Sequence, residues 1–240
     1  MASDKRLIAV IWDYDGTLVD TRHKNLNVTR KIIERITKRS ADEFPMLENI
    51  EEYHRATMET SNWRKFYREE FEIGEEQVNE AGSLWTEYQL NDDTPVKVFE
   101  GIRKGMLSIG TVPQGIVSQN SKSSVKRQLE SDGLIKYFSH IIGYEEVAMD
   151  KQKPEPDGLI NCIKELAESD DGTIFYIGDH ETDIQCATRA NQVLTETGLN
   201  VLSIGILYGS ELNSSKWKTQ PDYEAKSVQE LFDIIAKHKA

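Results

Sequence analysis

The sequence is poor in cysteine and has no long apolar run. Its 240 residues include 2 cysteines, Cys162 and Cys186, which lie far apart without a CxxC partner or a histidine-rich neighbourhood. This spacing argues against a disulfide framework and against a zinc site. The longest early apolar run is Leu7–Trp12, whereas a membrane-spanning helix needs about 20 apolar residues. Two aspartates follow that run at once, unlike a secretory signal. We therefore expect a reduced, soluble, cytoplasmic protein with no membrane partner.

Positive charge is also in short supply. Lysine and arginine number 29 against 41 aspartate and glutamate residues, so the formal net charge is −12. Binding to nucleic acid or to an anionic membrane needs a basic surface that neutralises phosphates. We expect neither partner. Hydrophobic residues make up 38% of the chain, which is enough apolar side chain to form the core of one large domain or of two small ones.

Short apolar runs that are typical of buried strands recur along the chain. Helical stripes of apolar residues, such as Leu159 to Leu166, separate the later runs. Strands that alternate with helices predict a parallel sheet covered on both faces, which is a three-layer, Rossmann-like α/β fold. The predicted strands are Leu7–Trp12, Gln114–Val117, His140–Gly143, Thr173–Ile177 and Val201–Leu207.

One segment interrupts this alternation after the first strand. Between residues 21 and 93 the apolar spacing is helical throughout, as at Val28, Ile32 and Ile36. The sequence Asn91–Pro95 then marks the return to the sheet. We therefore predict a core domain made of residues 1–20 and 94–240, with a helical domain inserted at residues 21–93.

A pair of aspartates directly follows the first predicted strand, in the sequence Asp13-Tyr14-Asp15-Gly16-Thr17. Side chains two apart on an extended chain point the same way, and Gly16 permits a sharp turn behind them. Taken alone, the pattern also fits a solvated Asp-Gly turn. A calcium loop does not fit, because Gly16 comes two positions too early and Lys24 stands where a glutamate is needed.

Three further polar groups follow predicted strands or lie in the next loops. Ser118 directly follows the second strand and precedes Gln119, Lys153 precedes Pro154, and Asp179 and Asp183 follow the fourth strand. Each also has an interpretation without a function in catalysis or binding. Ser118 is then a serine at a strand end, Lys153 a surface lysine before a helix, and the aspartates a helix cap.

All four groups nevertheless fall at one edge of a parallel sheet, where ligands bind. Carboxylates gathered there repel one another unless a cation with a preference for hard oxygen ligands binds them, which favours Mg²⁺. The lysine and the hydroxyl then favour an anionic ligand, most simply phosphate.

Together these residues resemble the four motifs of the haloacid dehalogenase-like hydrolase superfamily, in its phosphatase branch. The resemblance covers residues 7–19 and 96–207, and the helical insert is similar to the cap that this family places after its first motif to close the site and select the substrate. The motifs, in order, are Asp13-Tyr14-Asp15-Gly16-Thr17, Ser118, Lys153-Pro154, and Gly178-Asp179 with Asp183.

The resemblance implies a role for each motif residue. Asp13 is expected to attack the substrate and form an aspartyl-phosphate, and at an ordinary pKa of about 3.9 it needs no activating base. Asp15 is expected to protonate the leaving alkoxide and then to activate water. Ser118 and Lys153 are expected to hold the phosphoryl oxygens.

The resemblance also implies a Mg²⁺ cofactor. Its ligands are expected to be Asp13, Asp179 and the backbone carbonyl of Asp15, with Asp183 as a ligand or as a neighbour of the ligands. An acid at position 15 argues against the dehalogenase and phosphonate-cleaving branches of the family. The Lys-Pro-x-Pro form at residues 153–156 is similar to that of phosphoglycolate phosphatases and β-phosphoglucomutases.

The expected substrate is therefore a small anionic phosphorylated metabolite, such as phosphoglycolate or a sugar phosphate. Gln119, Arg64 and His23 are the candidate substrate contacts, Arg64 because it is a basic residue beside aromatics in an acidic chain. An amphipathic helix with solvated charges explains Arg64 equally well.

Two other functions remain open. A phosphomutase would use the same residues and pass the phosphoryl group to a hydroxyl instead of water. A phosphoacceptor receiver domain also combines aspartates, a hydroxyl and a lysine, but it is about half this length, lacks the helical insert and places its acids on different strands.

Overall fold

The computed structural model of the chain describes residues 5–60, 62–208 and 214–239. Contacts between Cα atoms divide the chain into two compact units. The core unit comprises Met1–Val19 and Val98–Ala240, and the helical unit comprises Asp20–Lys97. The domain boundaries predicted above, at residues 20/21 and 93/94, stay predictions, and the contacts place the divisions at 19/20 and 97/98.

Strands and helices alternate in the core unit, whereas helices follow one another in the helical unit. The described strands are β1 (Leu7–Trp12), β2 (Val19–Asp20), β3 (Lys97–Val98), β4 (Gln114–Val117), β5 (His140–Ile142), β6 (Asp171–Gly178), β7 (Gly198–Ile206) and β8 (Tyr223–Ala225). The described α-helices are α1 (Arg22–Thr37), α2 (Ile50–Glu59), α3 (Trp63–Glu70), α4 (Glu75–Asn91), α5 (Ile102–Ile109), α6 (Lys122–Ser131), α7 (Asp157–Leu166), α8 (Glu181–Val193) and α9 (Val228–Lys237).

The main sheet confirms the prediction of a parallel α/β fold. Its strand order is β5-β4-β1-β6-β7-β8, and each neighbouring pair is parallel. β1 lies in the interior of the sheet, with Val10 opposite Gln114 on one side and opposite Phe175 on the other. The short strands β2 and β3 pair separately.

Both faces of β1 are buried, as a three-layer fold requires. Ala9 and Ile11 belong to an apolar cluster with residues of α7 and α8. The ring of Trp12 contacts Phe232 of α9, with centroids 6.0 Å apart, and its Nε1 donates a hydrogen bond to Gln114 at 3.1 Å. The sheet therefore lies between two helical layers.

The helical unit has a separate core, rich in aromatic side chains. Phe66 packs edge-on against Phe71 and Tyr53, and the hydroxyl of Tyr67 donates to Thr29, which in turn hydrogen-bonds Tyr53. Such edge-to-face contacts stabilise a packed core beyond the burial of area alone. Within the described residues, no helix has both the length and the apolar composition that a membrane span requires.

Candidate active site

The candidate site is built on the carboxyl ends of adjacent parallel strands. The backbone N–H of Asp13 donates to Ile177 at 2.7 Å, which continues the β1–β6 pairing by one residue. The N–H of Ser118 donates to Ile142 at 2.9 Å, which does the same for β4 and β5. Because these strands are neighbours, residues that follow β1, β4 and β6 meet at one edge of the sheet.

Gly16 forms the turn that follows β1. Its φ of +77° lies in the left-handed region, and its N–H donates to the carbonyl of Val19 at 2.9 Å. A Cβ atom at this position would lie 1.9 Å from Oδ2 of Asp179. Glycine is therefore required at position 16 for two reasons: it adopts this backbone conformation without strain, and it leaves space for the Asp179 carboxylate.

Lys153 is buried between two aspartates. Its Nζ donates to Oδ1 of Asp13 at 2.6 Å and to Oδ1 of Asp183 at 2.8 Å, and 6% of the residue is exposed. Burial alone would lower the pKa of Lys153, but the two carboxylates outweigh it and raise the pKa above its ordinary value. The alternative of an ordinary surface lysine is therefore wrong.

Asp15 lies beside the end of β4. Its two carboxylate oxygens are 3.5 Å from the hydroxyl of Ser118 and 3.4 Å from Nδ2 of Asn120, while the N–H of Asn120 donates to Ser118 at 2.9 Å. Ser118 and Asn120 therefore orient Asp15 together. Asn120 was not predicted as a site residue, although an amide two residues past a strand end next to Ser118 was a signal that could have identified it.

Asp183 has two functions at the start of α8. Its Oδ2 accepts from the N–H of His180 at 3.2 Å, which caps the helix, and its Oδ1 accepts from Lys153 and, at 3.1 Å, from the hydroxyl of Tyr176. The capping alternative is therefore correct for Asp183 but incomplete. Tyr176 was not predicted either, although a hydroxyl in an otherwise apolar buried strand must find a partner.

Carboxylate oxygens of Asp13, Asp179 and Asp183 lie within 4.8 Å of one another. Lys153 pairs with the first and third of these, but in the described part of the chain no lysine or arginine pairs with Asp179. Burial, together with the neighbouring charges of Asp13, Asp183 and Asp15, raises the pKa of Asp179 well above its ordinary value.

The same crowding corrects the expectation that Asp13 keeps an ordinary pKa. Burial raises the pKa of Asp13 to about 7, with Asp183 and Asp15 adding to the rise and Lys153 opposing it. A divalent cation fits this group, because three hard oxygen donors converge and Asp179 lacks a cationic partner among the described residues. The absence of a side chain at Gly16 leaves the space that the Asp179 carboxylate occupies.

The structure brings Asp13, Asp15, Ser118, Lys153, Asp179 and Asp183 together in the core unit. Gln119 adjoins them, since its Nε2 donates to the carbonyl of Lys153 at 3.0 Å. His23 and Arg64 belong to the helical unit. His23 is exposed on α1, and Arg64 pairs with Glu75 and Asn79. Their contact with a substrate stays a prediction.

Comparisons with known proteins agree with this arrangement. The family model for haloacid dehalogenase-like hydrolases matches residues 10–195. The chain is 24% identical over 238 residues to Pyrophosphatase PpaX of Listeria monocytogenes (strain HCC23), covering 96% of this chain and 97% of that protein. It is 29% identical over 131 residues to Phosphoglycolate phosphatase of Escherichia coli (strain K12), covering 55% of this chain and 47% of that protein.

Solved structures show the same fold. A HAD-superfamily hydrolase from Geobacter sulfurreducens superposes with a TM-score of 0.62 at 22% identity, covering 95% of this chain and 99% of that chain. A predicted phosphatase from Clostridium acetobutylicum superposes with a TM-score of 0.71 at 21% identity, covering 95% of this chain and 98% of that chain. At such identities the likeness establishes the architecture.

Proposed function

The chain belongs to the haloacid dehalogenase-like hydrolase family, and from that membership we propose that it is a Mg²⁺-dependent phosphatase that hydrolyses small phosphomonoesters through a phosphoryl group carried on Asp13. The observation that carries the proposal is the buried contact of Lys153 with Asp13 at 2.6 Å, with Asp15 two residues further on. This contact supports the proposal because it puts a candidate nucleophile beside a cation, with a second acid close to both in the sequence motif.

Asp13 is the proposed nucleophile. A carboxylate oxygen attacks phosphorus, the bond from phosphorus to the ester oxygen breaks, and the electron pair leaves with that oxygen. The nucleophile must be ionised, and the positive charge of Lys153 opposes the protonation that burial favours. A bound Mg²⁺ would be held by Asp13 and Asp179, with the carbonyl of Asp15 and with Asp183 nearby, and would supply the positive charge that balances these carboxylates and the phosphoryl oxygens.

Asp15 is the proposed acid and base. It donates a proton to the leaving alkoxide and then takes one from the water that hydrolyses the phosphoryl group on Asp13. Ser118 and Asn120 support this role, because both reach its carboxylate and limit its rotation. Ser118 and Lys153 then donate to the phosphoryl oxygens as charge builds on them.

The proposed substrates are phosphoglycolate and small sugar phosphates. The E. coli relative named as a phosphoglycolate phosphatase supports this class, and the Listeria relatives named as pyrophosphatases make pyrophosphate a necessary comparison. His23, Arg64 and Gln119 are the proposed residues that select among them. Transfer of the phosphoryl group to a sugar hydroxyl, as in a phosphomutase, is the alternative.

The test is phosphate release from an aryl phosphate, with Mg²⁺ and with EDTA, for the wild-type chain and for Asp13→Asn. We expect Mg²⁺-dependent release that the substitution abolishes. Asp92→Asn, in the helical unit, is the matched control because it also alters a buried aspartate paired with a lysine. Release that survives Asp13→Asn contradicts the proposed nucleophile.

The substrate is then sought among phosphoglycolate, hexose phosphates and pyrophosphate, with product analysis of each reaction. Isomerised sugar phosphate without free phosphate identifies a mutase and contradicts the phosphatase proposal. Calorimetric titration of the metal-free chain with Mg²⁺ provides a readout independent of turnover, and Asp179→Asn is expected to weaken that binding because it removes the carboxylate without a cationic partner.

A further inference from the structure

One polar group in the wall of the site has no part in the proposed reaction. It is the hydroxyl of Tyr176, a residue of β6 that is fully buried. Its ring lies in the apolar cluster on one face of the sheet, with Ile11, Leu159 and Cys186 among its members. A phenylalanine would fill the same volume, so the hydroxyl is the feature to be explained.

The hydroxyl lies between two motifs of the site. It is 3.1 Å from Oδ1 of Asp183 and 3.5 Å from the carbonyl oxygen of Val117, the residue before Ser118. A hydroxyl has one hydrogen to donate, and the shorter contact directs it to Asp183.

Tyr176 contacts both members of the Lys153–Asp183 pair. Oδ1 of Asp183 accepts from the tyrosine and from Nζ of Lys153, and that Nζ lies 5.3 Å from the centroid of the tyrosine ring, within the range of a cation–π contact. The other oxygen of Asp183 accepts from the N–H of His180. The carboxylate is thus fixed at both oxygens.

We propose that Tyr176 is a positioning residue that holds Asp183, and through it keeps the Lys153 ammonium divided between Asp183 and Asp13. The inference rests on the function proposed above. An acceptor oxygen that is shared by two donors binds each of them less strongly than it would bind one alone. Without the hydroxyl, Asp183 draws Lys153 towards itself and away from Asp13, where the phosphoryl group is transferred.

The first test compares Tyr176→Phe with a matched control, Tyr223→Phe. Tyr223 is also a strand tyrosine of the core unit, and its hydroxyl bonds His238 at 3.1 Å, outside the site. We expect Tyr176→Phe to lower kcat for the aryl phosphate about tenfold, with a smaller change in KM, because the misplaced cation acts on the developing charge. Tyr223→Phe leaves both unchanged. If kcat stays within about twofold of wild type while the unfolding midpoint falls as in the control, Tyr176 is merely structural and the proposal is overturned.

The second test does not need turnover. Urea unfolding of the EDTA-treated chain is measured for Tyr176→Phe, Lys153→Met and the double variant. If Asp183 couples Tyr176 to Lys153, the fold-change in the unfolding equilibrium constant of the double variant differs from the product of the two single-variant fold-changes by at least about threefold. For the control pair, Tyr223→Phe and Lys153→Met, the fold-change of the double variant is expected to equal the product of the single fold-changes within about twofold. If Lys153→Met does not fold, Asp183→Asn takes its place.

The two tests separate the failures. Absence of phosphate release by the wild-type chain overturns the proposed function, and the unfolding cycle still decides whether Tyr176 acts on Lys153. Independent effects in that cycle overturn the positioning role, whatever the activity.

Discussion

Each unit of the molecule buries an aspartate against a lysine, and the two pairs behave in opposite ways. Lys31 and Asp92 of the helical unit are 2.6 Å apart, as are Lys153 and Asp13 of the core unit. Burial alone would raise the pKa of Asp92, but hydrogen bonds from Lys31 and Thr94 outweigh it and hold the pKa below its ordinary value. The pKa of Asp13 is instead raised to about 7.

The remaining neighbours explain the difference. Oδ1 of Asp92 accepts from the N–H of Thr94 at 2.9 Å, and Lys31 is half-exposed and free to adjust its solvation. Asp13 is surrounded by Asp15 and Asp183, and its lysine is shared with the latter. The same type of ion pair therefore has a different effect in each unit. Hydrogen-bond donors around Asp92 stabilise its charge, whereas carboxylates around Asp13 repel its charge and favour the binding of a cation.

The largest expected effect is a difference in kcat between substitutions of the two aspartates, Asp13 and Asp92. Asp13→Asn is expected to lower kcat for an aryl phosphate by about 10³-fold or more, since it removes the nucleophile. Asp92→Asn is expected to leave kcat unchanged and to lower the free energy of unfolding by about 1–2 kcal/mol through the lost charged hydrogen bond. Steady-state kinetics and urea unfolding measure the two. Equal losses of kcat would remove the distinction between the units.

The next effect is the pH dependence of stability in the metal-free chain. The ordinary pKa of 3.8 applies to unfolded Asp13, and the folded value is about 7. Between these values the folded state binds a proton that the unfolded state has released, so this residue's contribution to stability falls as pH rises, by up to about 1.4 kcal/mol per pH unit. Asp92, with a lowered pKa, contributes oppositely, since its stabilisation is lost as pH falls through its folded pKa.

Urea unfolding with EDTA, between about pH 4 and about pH 7, measures this slope. The difference between wild type and Asp13→Asn isolates the contribution of Asp13 from those of the other acids. Parallel curves for the two proteins would show that Asp13 has no raised pKa.

A pair of glycines provides a third comparison. Gly16→Ala is expected to weaken Mg²⁺ binding by about 10–100-fold, because the added methyl group displaces the Asp179 carboxylate. At Gly74 of the helical unit, an added Cβ atom would meet no heavy atom within 4 Å, and Gly74→Ala is the control that leaves binding unchanged. Calorimetric titration of both variants with Mg²⁺ measures the effect. Wild-type affinity in Gly16→Ala would show that the Asp179 carboxylate has room to move.

The smallest effect concerns Arg64. If this residue contacts the substrate, as proposed, Arg64→Ala raises KM about threefold and leaves kcat unchanged, because uniform binding is lost. The ion pair with Glu75 is a separate and small contribution to stability, because the glutamate is exposed to solvent. Glu75→Gln is the matched control, since it breaks the pair and keeps the arginine. An unchanged KM in Arg64→Ala contradicts the substrate contact.

The sequence was sufficient to predict where the polar motifs come together. Asp13, Ser118 and Asp179 each follow a run of buried residues, and a parallel sheet aligns the ends of such runs. Helical spacing likewise predicted helices between residues 21 and 93, where α1 to α4 lie, while the bounds of the inserted domain stay a prediction. The short strand β8 was not predicted, because its three residues are too few to show a period.

The electrostatics of the site could not be predicted from residue types. The raised pKa of Asp13 depends first on the depth at which the site is buried, and then on Asp183, which is far away in the chain. The contact of Tyr176 with Asp183 depends on the placement of a hydroxyl within an apolar layer. Such facts arise from packing, which the order of apolar and polar residues does not specify.

The interior position of β1 has a consequence for biosynthesis. The strand leaves the ribosome before its partners β4 and β6, which begin at Gln114 and Asp171, so a nascent chain carries β1 with both edges unpaired while the whole helical unit is made. Domains generally fold during synthesis in the order in which they emerge. The helical unit, whose residues Asp20–Lys97 all precede β4, is therefore expected to fold before the sheet is complete, and the cluster of carboxylates forms only after Asp183 has emerged.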